Sequence, residues 1–211
     1  MTKTEIERGI DAAAGRREAI MAAAFEVFVE KGFEAATTSE IVRRAKISKR
    51  TLYEIFDSKQ AILTALIRYG SLRMQTPPDL APPASRAEFI ATLHDFGRTF
   101  LTEFLHPDRM AMYRLAIAGR ERGEGAVARE LTATGQAPVV QSLVRYFDQA
   151  AGRGLFPRDQ IATLIQIFFS VLIGFSPLQM LLGNEPPMNA ATIDARAELA
   201  ATTLLRLLPA E

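Results

Sequence analysis

Cysteine is absent from this 211-residue chain. Its absence excludes disulfides, zinc–thiolate sites, iron–sulfur clusters and thiol redox sensing. It also fits a reducing compartment, so a cytoplasmic location is the expectation. Histidine is scarce. Only His94 and His106 occur, without the spacing of a metal-binding HExxH helix. They read as polar surface or capping groups. No nucleophile elbow, Walker loop or dinucleotide fingerprint is present. The GRERGEG stretch at 119–125 follows a helical pattern rather than a strand, and reads as a turn. No catalytic residue, metal site or cofactor is therefore expected. The N-terminal stretch Met1 to Arg17 lacks the apolar core of a secretory signal. Long uninterrupted apolar runs are missing too. The segment from Ile161 to Leu182 is about long enough to span a bilayer. Gln166, Ser170, Gly174, Pro177 and Gln179 interrupt it, and it reads as a buried or interface helix instead.

Charge of one sign is also lacking overall, since the net value is +1. Its distribution says more. Arg43, Arg44, Lys46, Lys49 and Arg50 lie close together with no acid between them. A local basic patch can be an electrostatic footprint on nucleic acid, although short basic runs are commonly solvated surface. With 48% apolar and 23% charged residues the chain is an ordinary globular one, long enough for a small domain and a larger one.

Strand alternation is scarce and helical periodicity runs throughout, so the fold class is all-α. From about Gly15 to Lys31, Ile20, Ala24, Val27 and Phe28 form an apolar stripe widened by Met21 and Phe25. Gly32 ends this helix, and Phe33 can fold back on Phe28. Thr37 opens a second helix, with Glu40 completing a capping box and Ile41, Val42 and Ala45 facing inward. After Lys46 and Ile47, Ser48 can cap a third helix, Lys49 to Phe56, with Leu52, Ile55 and Phe56 inward. A fourth helix begins at Ser58 or Lys59 and reaches about Arg73. The stretch 76–86, TPPDLAPPASR, carries four prolines and reads as a connection. Beyond it, helices are expected near Glu88 to Leu105, Asp108 to Arg120, Ala126 to Thr134, Pro138 to Ala151, Arg158 to Leu182 and Asn189 to Leu208.

The second and third helices with their short turn make a helix-turn-helix. The N-terminal end of the second of these would meet base edges in the major groove. It presents Lys49, Arg50 and Thr51, where Arg or Lys suits guanine acceptors and Thr suits a thymine methyl or backbone oxygen. Hydroxyls of Thr37 and Thr38, and the ammonium of Lys59, are placed to meet phosphates.

The stretch TTSEIVRRAKISKRTLYEIFDSKQAIL, from Thr37 to Leu63, resembles the DNA-binding signature of the TetR/AcrR family of transcriptional regulators. The paired threonines, Ile41, Ser48, Thr51-Leu52-Tyr53, Phe56, Ser58-Lys59 and Ile62-Leu63 carry the likeness, as does the Lys31-Gly32-Phe33 helix ending. It covers roughly the first 70 residues. The resemblance implies a DNA-binding set that includes Ser48, with base contacts from Lys49, Arg50 and Thr51, a phosphate or sugar contact from Tyr53, and a backbone clamp from Thr37, Thr38 and Lys59. Two positions depart from the pattern. Lys46 stands where a small turn residue, often Gly, is usual. Glu54 stands where a polar or aromatic residue is common, and is expected to point away from phosphates.

The resemblance further implies a DNA-binding domain over 1–58, a connector helix over 59–74, and a helical ligand-binding and dimerisation domain over 75–211. Helices near 158–182 and 189–208 are the expected homodimer contact, and a two-fold dimer would read a pseudo-palindromic double-stranded DNA operator. Phe100, Phe104, Met112, Tyr113, Phe168, Phe169 and Phe175 are candidates to line an apolar cavity, with ordinary core packing as the plainer reading. A small-molecule effector held there would be hydrophobic or aromatic. Repression is the family-based default, and release would follow a shift of population between conformers. A helical interaction module without DNA binding, or a small helical enzyme, are the competing readings.

Overall fold

The structure, a computed structural model, describes residues 3–75 and 80–208, with side chains from residue 14 onward. The regular elements of the described residues are all helical. In chain order they are α1 (Lys3–Lys31), α2 (Thr38–Arg44), α3 (Lys49–Ile55), α4 (Lys59–Leu72), α5 (Arg86–Phe104), α6 (Pro107–Glu121), α7 (Ala126–Glu130), α8 (Ala137–Gly152), α9 (Ile161–Ile173), α10 (Ser176–Leu181) and α11 (Ala190–Leu207). A π-helical segment, Leu131–Gln136, joins α7 to α8, and a 3-10 turn, Arg158–Gln160, leads into α9. Of the proline-rich connection, residues 76–79 lie outside the described residues.

Packing divides the chain into two units. The first comprises the chain up to Tyr69 together with Met112–Thr132. Its core is the expected stripe of α1, Ile20, Ala24, Val27 and Phe28, closed by Ile41, Leu52, Phe56, Ile62, Leu63 and Ile67. Met112, Leu115, Ala116, Val127 and Leu131 complete it. Each large side chain buried here contributes about 1.5–3 kcal/mol. The end of α6 and α7 thus add apolar surface to what chain order alone draws as a three-helix domain.

The second unit holds Gly70–Ala111 and the chain from Ala133 on. Here α11 packs along α5 and α9. Small residues allow the close approach. Gly97 of α5 faces Ala197 of α11 and Leu172 of α9, where an added Cβ would stand 3.1–3.2 Å from their side-chain carbons. Aromatic rings fill both ends of α5. Phe89 meets Tyr146, Phe147 and Phe156 at one end. Phe96, Phe100 and Phe104 stack along its other half. Burial pushes the Tyr146 phenol up, against a hydrogen bond to Thr92 that lowers it.

Three elements differ from the sequence expectation. Helix α1 begins at Lys3 rather than near Gly15. Its first turns are rich in Ala, Glu and Arg, which favour helix, while Gly9 and Gly15 interrupt the pattern and hide it. The helix expected at Arg158 to Leu182 breaks at Gly174, whose φ of 56° and ψ of −146° end α9. That backbone suits glycine, the Arg196 guanidinium lies against it, and Pro177 then sits in the first turn of α10. The third difference is the π segment. Pro138 has no N–H to give the Thr134 carbonyl, and Ser71 Oγ donates to that oxygen at 2.9 Å instead. None of the described helices is long and apolar enough to cross a membrane.

Candidate nucleic-acid interface

Local chemistry explains how α2 and α3 are held. Thr37 caps α2: its Oγ1 accepts from Glu40 N, while the Glu40 carboxylate accepts from Thr37 N at 3.1 Å and Thr37 Oγ1 at 2.9 Å. Lys31, at the end of α1, donates to the other oxygen of Glu40. The Lys31 bond, then those from Thr37, hold the Glu40 carboxyl down to about 2. The Thr37 hydroxyl is therefore engaged inside the capping box.

Helix α2 ends in a Schellman turn. Ile47 N donates to Val42 O and Lys46 N to Arg43 O. The turn puts its next residue in the left-handed region, and Lys46 takes it with φ 54°. The missing glycine noted from the sequence thus has a conformational cost, on the order of 1 kcal/mol. Ser48 then caps α3, accepting from Thr51 N at 3.0 Å and pairing with the Thr51 hydroxyl at 2.9 Å.

What remains outward on α3 is a patch of four exposed residues, Lys49, Arg50, Tyr53 and Glu54. Helical spacing sets Lys49 beside Tyr53 and Arg50 beside Glu54. Tyr53 is 51% exposed, and its hydroxyl lies 3.3 Å from Thr38 Oγ1 at the start of α2. Two helices thus present a pair of neutral hydroxyls at one point, a geometry suited to a phosphate oxygen. Arg50 is 89% exposed at its side chain.

The basic cluster seen in the sequence separates by role. Arg44 is tied to α1, 2.7 Å from Glu30 and 3.5 Å from Glu26. Its hydrogen bond to Glu30 raises its affinity for the proton. Arg43, Lys46 and Lys49 are exposed and form no ion pair among the described residues.

Two side chains near the expected interface have partners within the protein. The Lys59 Nζ donates to the carbonyls of Phe33 (2.6 Å), Glu34 (3.0 Å) and Ala36 (3.0 Å) and lies over the Phe33 ring. All three ammonium protons are used, and Lys59 is a clamp on the α1–α2 loop. Glu54 was expected to turn away from the interface. It accepts from Arg50 Nε at 2.9 Å on the same outward face. The spacing of four residues in the sequence was the signal for that pair.

The residues proposed for an apolar cavity do not share one place. Phe100, Phe104, Phe168 and Phe169 come together with Phe96 between α5 and α9. Met112 belongs to the core of the first unit, with Tyr113 packed against it, and Phe175 is 79% exposed. Of the histidines, His106 accepts the Asp108 N–H at the start of α6, and His94 Nε2 lies 3.2 Å from Asp194 of α11.

Comparison with known proteins agrees with this architecture. Residues 20–66 match the bacterial regulatory proteins of the tetR family. Residues 91–207, more than half the chain, match the AefR-like transcriptional repressor C-terminal domain. The HTH-type transcriptional regulator YvkB of Bacillus subtilis (strain 168) is 28% identical over 171 residues, 78% of this chain and 83% of that one. A solved structure of the flavonoid-responsive regulator FrrA has a TM-score of 0.69 at 27% identity, covering 92% of this chain and 97% of its own. A TetR transcriptional regulator from Agrobacterium tumefaciens superimposes with a TM-score of 0.74 at 23% identity, over 93% and 95% of the two chains, and so shares the fold. The chain belongs to the TetR family: it is a transcriptional regulator with a DNA-binding helix-turn-helix, and the family is not one of enzymes.

Proposed function

We propose that this regulator is a cytoplasmic homodimeric repressor that reads a pseudo-palindromic operator through α3 and leaves it when an aromatic effector binds. The observation that carries the DNA part is the outward patch of α3. Lys49 and Arg50 stand free of the core at the end of the helix that meets bases in this class of motif, and Tyr53 with Thr38 offers hydroxyls to the backbone. Lys59 and Thr37 hold the frame and are not assigned to DNA.

Other observations support the remaining parts. The C-terminal match is described as that of a transcriptional repressor. Phe175, Leu178 and Leu182 are exposed along α10, and Leu199 and Leu205 on α11. An apolar set of this kind calls for a covering partner, and a second copy covers it in a self-complementary contact. The rings of Phe96, Phe100, Phe104 and Phe169 favour a flat apolar ligand that stacks by replacing ring–ring contacts. A relative responds to flavonoids.

Sedimentation of the free protein and gel-shift titration with DNA from upstream of its own coding region test the proposal, with and without a flavonoid and simpler planar aromatics. A dimer that binds and is released by at least one flat aromatic compound is expected. A monomer at micromolar concentration would reject the dimer. Binding unchanged by every aromatic compound would reject the effector class.

A further inference from the structure

Glu54 is the carboxylate of α3, whose sequence is KRTLYEI, and it sits on the face that carries Lys49 and Arg50. Phosphates repel it there, so it lowers affinity for any duplex. Nor does stability account for it. The Arg50–Glu54 pair is exposed, such pairs contribute little, and the acid lies C-terminal to the base, the weaker order on a helix.

What the pair does is geometric. Arg50 uses Nε to reach Glu54 Oε1 at 2.9 Å. A guanidinium is a planar fork with five N–H donors. Held at Nε, it keeps its far edge, Nη1 and Nη2, directed outward. Two parallel donors at that edge match guanine O6 and N7 in the major groove. The carboxylate has lone pairs left over, and in the same groove a carboxylate accepts from the N4 amino group of cytosine.

We propose that Glu54 is a specificity-determining residue: by holding Arg50 at Nε it directs the Nη1/Nη2 fork to a guanine, and its remaining lone pairs accept from a neighbouring cytosine. The inference rests on the reading that α3 enters the major groove. Glu54 thus trades affinity for selectivity, the repulsive element that discriminating interfaces use alongside attraction.

The experiment is selection from a randomised duplex library with the full-length protein and with E54A, E54Q and R50A. Affinities follow at fixed salt for the enriched site, for the same site with the Arg50-dependent guanine replaced, and for an unrelated duplex. Thermal melting of each variant checks folding, and the exposed position of Glu54 predicts no change. E54A is expected to bind the unrelated duplex at least as well as the wild type. Its preference for the enriched site over the guanine-replaced one should fall at least about fivefold. E54Q keeps an oxygen for Arg50 Nε and so keeps the guanine, while its neighbouring preference moves from cytosine towards adenine, which an amide can pair. In the R50A background, E54A should no longer alter selectivity at that guanine. An E54A protein that binds every duplex more tightly by one common factor, with selectivity intact, would overturn the inference and leave the DNA reading standing. A wild-type protein that enriches no sequence would overturn both.

Discussion

Both units have apolar cores, but the two regions that matter for function are fastened differently. Around α2 and α3, short polar side chains do the fastening. Thr37 with Glu40, Ser48 with Thr51 and Lys59 with three loop carbonyls each satisfy a backbone group that a helix end or turn leaves open. Around α5 and α9 the fastening is by rings, Phe96, Phe100, Phe168 and Phe169 packed edge and face. Hydrogen bonds at caps fix direction, so the first arrangement holds a reading surface in one geometry. Apolar burial is less directional than a hydrogen bond, and such cores tolerate repacking when volume is kept. Under the proposed function, that division would serve a rigid reading face at one place and an effector site at another.

The contrast can be broken from either side. The largest effect is expected from Phe168→Ala. This ring is fully buried, and its loss should lower stability by about 3–5 kcal/mol, read by chemical denaturation. Amide-exchange protection should fall across α5 and α9 rather than α3. Next is Lys59→Met, which removes the charged donor from the Phe33, Glu34 and Ala36 carbonyls. A loss of about 2–4 kcal/mol is expected, with faster exchange at the α1–α2 loop. Equal protection loss in both units for either variant would contradict the division.

A smaller effect of opposite sign is expected from Lys46→Gly. Relief of the positive φ should stabilise the protein by up to about 1 kcal/mol, reduced by the greater freedom of glycine in the unfolded chain. The smallest effect concerns acid. Glu40 is held down to about 2 from its ordinary 4.5. A depressed carboxyl gives stability that is present above the unfolded value and lost as the pH falls through the folded one. Between pH 4.5 and 2 the wild type should therefore lose stability more steeply than Glu40→Gln, as followed by circular dichroism.

Legibility in the sequence followed the same line. Caps are local: Thr37 with Glu40 and Ser48 with Thr51 lie three residues apart, and the structure holds them bonded. The strain at Lys46 was readable from a side chain at a turn where glycine is usual. Lys59 was not readable, because its partners are carbonyls of residues 33–36, reached only once α4 has packed. Apolar residues carried less information still. Met112 and Phe168 are both simply apolar on paper, yet one fills the core of the first unit and the other that of the second. The assignment of 112–132 to the first unit follows from packing, which the order of elements along the chain does not encode. The break at Gly174 was hidden in an apolar run where only a glycine and Pro177 hinted at it.

The account turns on the outward face of α3 being the DNA-reading surface. Its most direct test is the salt dependence of binding to the selected duplex for the wild type, Lys49→Ala and Arg50→Ala, with Lys59→Gln alongside. The account predicts tight wild-type binding that weakens steeply with salt, lost selectivity in Arg50→Ala, and a salt slope unchanged in Lys59→Gln at temperatures where that variant stays folded. Full selectivity in Arg50→Ala, with a shallower slope in Lys59→Gln, would contradict it.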